Sequence, residues 1–188
     1  MADIPEQNTQ TKEWIDGLRG GIKKPFEEMF FFFYPKLHRF AMRYVQDSMT
    51  AEDIVQDLFV SVWRDREKIV IKSSLSAYLY ASVRNRSINY LKQVNKKVIS
   101  AEEDLTLLIA DENNNPESEL TRHELSIAVY KAIEMLPGRC KLVFTMSRME
   151  ELKYSEIAEI LGISENTVTV QMGRAFKKLR FLLRKFVE

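Results

Sequence analysis

Apolar residues recur along most of this chain every three or four positions, the interval at which a helix buries one face. Pro25 suits a first helical turn, and from there to about Val45 the series takes in Phe26, Met29, Phe33, Leu37, Phe40, Ala41 and Tyr44. The run from Phe30 to Phe33 is wider than one face, so its outward rings are expected to lie under a neighbouring helix. A second helix is predicted after Thr50, with Thr50 as cap and Asp53 closing a capping box. Its buried face is Val55, Leu58, Phe59, Val62 and Trp63. Arg66 to Ser74 reads as a loop, with Lys68 to Ile71 apolar enough to dock on something. A third helix starts at Ser74 or Leu75, with Leu75, Leu79, Val83, Tyr90, Leu91 and Val94 as its stripe. Two more span Glu119 to Met135 and Arg139 to Met149, broken by Leu136-Pro137-Gly138. Thr11 to Gly21 is a further short helix, behind a polar, frayed start. No alternating strand pattern or hairpin signal interrupts the series, so the predicted fold is all-α.

The pattern changes near the C-terminus. Ile157, Ala158 and Leu161 share one helical face, and Gly162 can take the left-handed conformation that ends a helix. Ser164 is placed to cap the helix that follows. Ala158 is small enough to let two helices cross closely. Two short helices joined in this way form a helix-turn-helix, whose second helix enters the major groove of DNA; a plain helical hairpin is the other reading. From Glu165 the helix continues with Val168, Met172, Ala175, Phe176, Leu179, Leu183 and Phe186 as its apolar stripe. Its other faces carry Arg174, Lys177, Lys178, Arg180, Arg184 and Lys185, a surface suited to phosphates.

Composition narrows the function. In 188 residues there is room for one domain or two small ones, and the 45% hydrophobic content is that of a globular chain. No apolar run approaches the ~20 residues of a membrane span, and no signal peptide is recognisable. Cys140, the one cysteine, excludes an internal disulfide and fits a reducing cytoplasm. It reads as a small buried residue. His38 and His123 are the only histidines, so no metal-ligand cluster is visible and no cofactor is expected. Net charge is only +1, which means that any nucleic-acid surface must come from local segregation. Segregation is present: Ser100 to Leu120 holds seven acids and neither Lys nor Arg. Its Asn113-Asn114-Asn115-Pro116 resists helix, so it reads as an acidic linker between two helical domains, expected to be flexible in the isolated protein.

Two polar faces stand out before the linker. Asp53, Gln56 and Asp57 lie beside the apolar stripe of their helix, with Arg64; on the residues alone simple solvation is the favoured reading of this face, ahead of docking. On the next helix Tyr78, Tyr80, Arg84, Asn85, Arg86, Asn89 and Lys92 mix rings, amides and bases, followed by Lys96 and Lys97. Unpaired bases stack on rings while cations track phosphates. Core tyrosines beside a solvated basic face are the alternative.

Taken in order, three motifs resemble bacterial RNA polymerase sigma factors of the extracytoplasmic function group, in the sigma-70 family. They are Ala51-Glu52-Asp53-Ile54-Val55-Gln56-Asp57-Leu58-Phe59 with Trp63; Tyr78-Leu79 with Arg84-Asn85 and Ile88-Asn89-Tyr90-Leu91; and Leu136-Pro137 with Arg139, then Tyr154 to Val168 and Arg174-Ala175. The likeness covers roughly residues 25–97 and 120–185. It implies an N-terminal segment (1–21), a sigma-2 domain (22–98), the acidic linker (99–119) and a sigma-4 domain (120–188). It also implies that Asp53, Gln56 and Asp57 dock on a coiled coil of the largest subunit of core RNA polymerase. The loop from Lys68 to Ser76 and the helix bearing Tyr78, Arg84, Asn85, Asn89 and Lys92 would capture melted −10 promoter DNA. Glu165, Asn166, Thr167, Thr169, Gln171, Arg174, Lys177 and Lys178 would read −35 duplex. The linker would thread the polymerase's basic channel, and an anti-sigma factor would be a further partner. Many members carry a base at the positions of Thr169 and Gln171, Asp at that of Asn89 and Ser at that of Lys153. The last difference leaves the first helix of the turn motif free to begin at Lys153 or Ser155.

Two other classes are weighed against this one. A stand-alone regulator binding operator duplex needs neither the acidic linker nor the aromatic-basic helix. An enzyme such as a nuclease finds a carboxylate pair in Asp53 and Asp57, but no third ligand or activating base beside it. The expectation is therefore a cytoplasmic, non-enzymatic specificity subunit.

Overall fold

The computed structural model describes residues 4–71, 73–94 and 120–184, all of whose regular elements are helical. The helices are α1 (Ile4–Arg19), α2 (Lys23–Val45), α3 (Ser48–Arg64), α4 (Leu75–Val94), α5 (Leu120–Glu134), α6 (Gly138–Arg148), α7 (Tyr154–Leu161) and α8 (Glu165–Leu182). They fall into two compact units, α1–α4 and α5–α8, divided between Asp104 and Leu105. The acidic linker, Lys96, Lys97, Lys185 and Phe186 lie outside the described residues.

In the first unit α2 is the central element, packing against α1, α3 and α4. Met29, Leu37, Phe40, Val55, Leu58, Leu75, Leu79, Tyr80 and Val83 are almost wholly buried there. Phe40 and Tyr80 meet edge to face at 5.0 Å, joining α2 to α4. Pro35 sits inside α2 and leaves that helix one amide short. At the other edge Trp14 and Leu18 of α1 are buried, with Trp14 against Phe32 and Phe33 at 5.2 and 5.9 Å. α1 crosses α2 so closely that a Cβ at Gly17 would stand 2.5 Å from Cγ of Pro25.

Several expectations are corrected here. α1 begins seven residues before Thr11 and α2 at Lys23, ahead of Pro25. The cap of α3 is Asp47, whose carboxylate accepts from the Thr50 amide at 2.8 Å; Thr50 and Asp53 form no capping box. Gln46, at φ 54°, ends α2 and leaves only Asp47 before α3, so the cap falls three residues earlier than predicted. Phe33 is core and Phe32 half-covered, but Phe31 is 73% exposed, and among the described residues no helix lies over it. On α4 the stripe includes Tyr80 and Ser87, while Tyr90 and Val94 face outward.

In the second unit α8 lies against α5, α6 and α7. Its Val168, Met172, Ala175 and Leu179 meet Val143, Met146, Ile157 and Ile160 in the core. Lys141 of α6 is buried and pairs with Glu134 of α5. Phe176, placed in the stripe by its spacing, is 41% exposed and rests edge-on against Phe144.

Candidate polymerase and nucleic-acid surfaces

The turn motif takes its shape from backbone chemistry. Gly162 is left-handed at φ 68°, ψ 36°; the Ile163 amide reaches Ala158 O at 3.0 Å and the Gly162 amide Glu159 O at 3.3 Å. That pair of bonds is a Schellman ending. Ser164 Oγ then accepts from the Thr167 amide at 3.1 Å and caps α8, as its position predicted. α7 starts at Tyr154, with Lys153 before it. The Lys153 amide donates to Glu156 Oε2 at 2.8 Å. An ammonium cannot accept, so only that half of a capping box can form.

At about 100° per residue, the buried stripe of α8 leaves an outer ridge of Asn166, Val170, Gly173 and Lys177, all exposed. Glu165, Thr169, Arg174 and Lys178 flank it and are exposed too. Two predicted base readers are differently placed. The Thr167 hydroxyl lies 2.8 Å from Ser164 Oγ, inside the cap. Gln171 is half-buried, and its Oε1 accepts from Cys140 Sγ at 3.0 Å. Burial pushes the Cys140 thiol above its ordinary pKa, with Arg174 nearby working the other way. The thiol is thus a protonated donor at neutral pH. The bond spans 31 residues of sequence, which is why spacing did not reveal it.

α4 turns Asn85, Asn89 and Lys92 to solvent on one strip, with half-buried Tyr78 two turns earlier. Ser74 caps the helix through the Ala77 amide at 3.0 Å. Arg84 lies off that strip, half-buried, and donates to the Tyr44 hydroxyl. Tyr44 is raised by burial, which the charges of Arg84 and Arg43 oppose. Two other members of the mixed face serve the fold instead: Tyr80 is core, and Arg86 donates to Ser61 Oγ at 2.9 Å. In the preceding loop Arg66 bonds Trp63 O at 2.9 Å and covers the Trp63 ring, while Val70 is 72% exposed.

α3 presents Asp53, Gln56 and Asp57 together, all exposed. The geometry adds neighbours that the sequence reading passed over. Gln56 Nε2 donates to Glu52 Oε1 at 2.8 Å, and Tyr34 of α2 bonds to both side chains. The Tyr34 hydroxyl is raised by burial and then by the Glu52 charge. Phe30 lies between Tyr34, tilted at 5.0 Å, and Phe59, edge to face at 4.8 Å, with exposed Phe31 also edge to face. An acidic, amide-bearing face thus runs into an aromatic patch. Exposed large aromatics beside a polar rim are what a protein-binding surface needs.

Among the described residues no group of three or more acids, histidines or cysteines is placed to hold a metal. A two-unit helical protein with a capped helix-turn-helix and a basic second helix is, by its parts, of the transcription-factor class.

The comparisons with known proteins are specific. Residues 33–97 match the family model of sigma-70 region 2, and residues 126–179 that of sigma-70 region 4. The RNA polymerase sigma-H factor of Pseudomonas aeruginosa is 24% identical over 94% of this chain and 97% of its own. The extracytoplasmic function sigma factor SigW of Bacillus subtilis is 26% identical over 92% and 96%, and the sigma-E factor of Escherichia coli 27% over 86% and 87%. Two solved structures share the fold at TM-score 0.59. CnrH, solved with the cytosolic domain of CnrY, is 19% identical over 94% of this chain and 98% of its own. RpoE of Bartonella quintana, solved with the anti-sigma factor NepR, is 22% identical over 86% and 98%. The chain belongs to the sigma-70 family, in its extracytoplasmic function group.

Proposed function

We propose that this chain is a promoter-specificity subunit that recruits core RNA polymerase and directs initiation by reading −35 DNA as duplex and −10 DNA as a melted strand. The observation that carries this is the pairing, in one chain of this family, of two unlike surfaces. The ridge of α8 is narrow, uncharged over Asn166, Val170 and Gly173, basic from Arg174 and Lys177 onward, and set on a helix-turn-helix, which suits bases first and phosphates beyond them in a major groove. The strip Tyr78, Asn85, Asn89 and Lys92 joins a ring, two amides and a cation, which suits unpaired bases. The face of Asp53, Gln56 and Asp57, extended by Glu52, Tyr34 and Phe31, would dock on the polymerase.

In this reading the chain performs no chemistry of its own. Capture of bases offsets the cost of unpairing them, and nucleotide addition belongs to the polymerase. The chain would work in the cytoplasm beside that enzyme; among the described residues no helix is long and apolar enough to cross a membrane. Because NepR holds RpoE in the solved pair, an anti-sigma partner is part of the proposal. The domains in this proposal are an N-terminal segment over 1–21, sigma-2 over 22–98, linker over 99–119 and sigma-4 over 120–188. Reconstitution with core polymerase and a promoter library tests this directly. Transcripts that start at a shared promoter motif only when the chain is added support it. Binding of one operator duplex with no effect of core polymerase would favour a stand-alone regulator.

A further inference from the structure

Gly173 stands in the ninth position of α8, well inside the helix. Glycine is the poorest helix former after proline, because it loses the most backbone freedom. The fold does not ask for it: its φ is not positive, and a Cβ built there meets nothing within 4 Å. Alanine would fit and would hold the helix better. Among the described residues, then, nothing accounts for a bare backbone at this point.

Its position says what lies there. Gly173 is on the outer ridge, one turn beyond Val170 and one turn before Lys177, on the side of α8 away from buried Val168 and Ala175. From Glu165 to Gly173 the helix advances about 12 Å, at 1.5 Å per residue. A major groove is about 8.5 Å deep. A helix that puts its first two turns among base edges thus meets the groove wall near Gly173. The wall is a sugar–phosphate strand. Arg174 beside Gly173 and Lys177 one turn on supply the charge for that strand, while Gly173 supplies room.

We propose that Gly173 is the point where one sugar–phosphate strand of the −35 duplex lies against the bare backbone of α8. This rests on the reading of α8 as a duplex-binding helix. The contact is steric, so it sets how deeply the first turns of α8 sit in the groove and favours no base over another.

The test uses the full chain assembled with core polymerase and fluorescent duplexes carrying a randomised −35 hexamer. Wild type selects the best duplex; Gly173→Ala and Gly173→Gln are then compared on it, and the free chains are melted. Gly173→Ala is expected to melt a few degrees higher yet to bind the duplex on the order of tenfold more weakly, with Gly173→Gln weaker still. The salt slope and the ranking of hexamers stay unchanged, because no charge or base contact is altered. Wild-type affinity in both variants overturns the inference. So does a lower melting temperature for Gly173→Ala, which would make the glycine a need of the fold. A changed ranking also overturns it, by placing Gly173 at base edges. If the wild-type complex selects no −35 duplex, the duplex-binding reading fails and the inference with it; if wild type selects and both variants bind alike, only the role of Gly173 fails.

Discussion

Cys140 and Gln171 make a prediction that separates a base-reading side chain from a merely exposed one. Gln171 is the predicted reader whose amide has a fixed partner, Cys140 Sγ at 3.0 Å. That bond takes the Gln171 oxygen inward and leaves the NH2 group to point elsewhere. With its oxygen held inward the amide offers a base only its NH2 donor, so its discrimination is expected at the low end of the roughly 1–3 kcal/mol that a full bidentate contact gives. A thiol is a weak donor, so the bond itself adds little stability. Its effect is to restrain a side chain that otherwise loses up to ~1.5–2 kcal/mol of rotamer freedom when it orders. If half of that restraint is supplied in advance, Cys140→Ala should cost about 1 kcal/mol of discrimination, roughly fivefold. Cys140→Ser keeps a hydroxyl donor and should restore most of it. Gln171→Ala should abolish the preference at the same base pair. The assay is selection from a randomised −35 duplex by the complex with core polymerase, read position by position. A merely structural role for Cys140 would weaken binding to all hexamers alike and leave the ranking untouched. If Gln171→Ala leaves the ranking unchanged, Gln171 reads no base and the bond to Cys140 belongs only to the fold.

Asp53→Arg or Asp57→Arg should abolish binding to core polymerase in a pull-down with no change in melting temperature, since both side chains are exposed; wild-type binding would remove the docking assignment. Arg174→Ala should weaken binding to many −35 duplexes alike and flatten the salt dependence, as loss of a phosphate contact does. Asn85→Ala should leave −35 binding intact yet impair open-complex formation, seen by permanganate footprinting; if it opens the promoter as well as wild type, strand capture belongs to the Lys68 to Ser76 loop. Hydrogen bonding to Thr50 holds Asp47 below its ordinary pKa, so its cap stabilises above the unfolded carboxylate pKa and is lost as pH falls through the lower folded one. Asp47→Asn should therefore remove part of the acid sensitivity of melting, and an unchanged pH profile would count against the cap.

What the sequence determined by itself was local. Gly162 and Ser164 were legible because a left-handed turn and a cap depend on a few neighbouring residues. The stripe Val168, Met172 and Ala175 was legible because a long helix repeats one face often enough to reveal it. The acidic, amide and basic faces could be located, although on residues alone solvation was the favoured reading of the first. Tertiary structure decided which polar groups remain available. Tyr80 and Tyr90 lie on the same helix, yet one packs on Phe40 in the core and the other faces water, a choice made by where α2 and α3 cover α4. Arg86 was indistinguishable by sequence from Arg84, but Ser61, 25 residues away, engages one and Tyr44 the other. The same holds for Gln171, whose partner sits on another helix. Even the bare ridge at Gly173 has meaning only once the packed side of α8 is known. Periodicity reports which face of a helix is apolar; it carries no term for the neighbour that arrives from far along the chain.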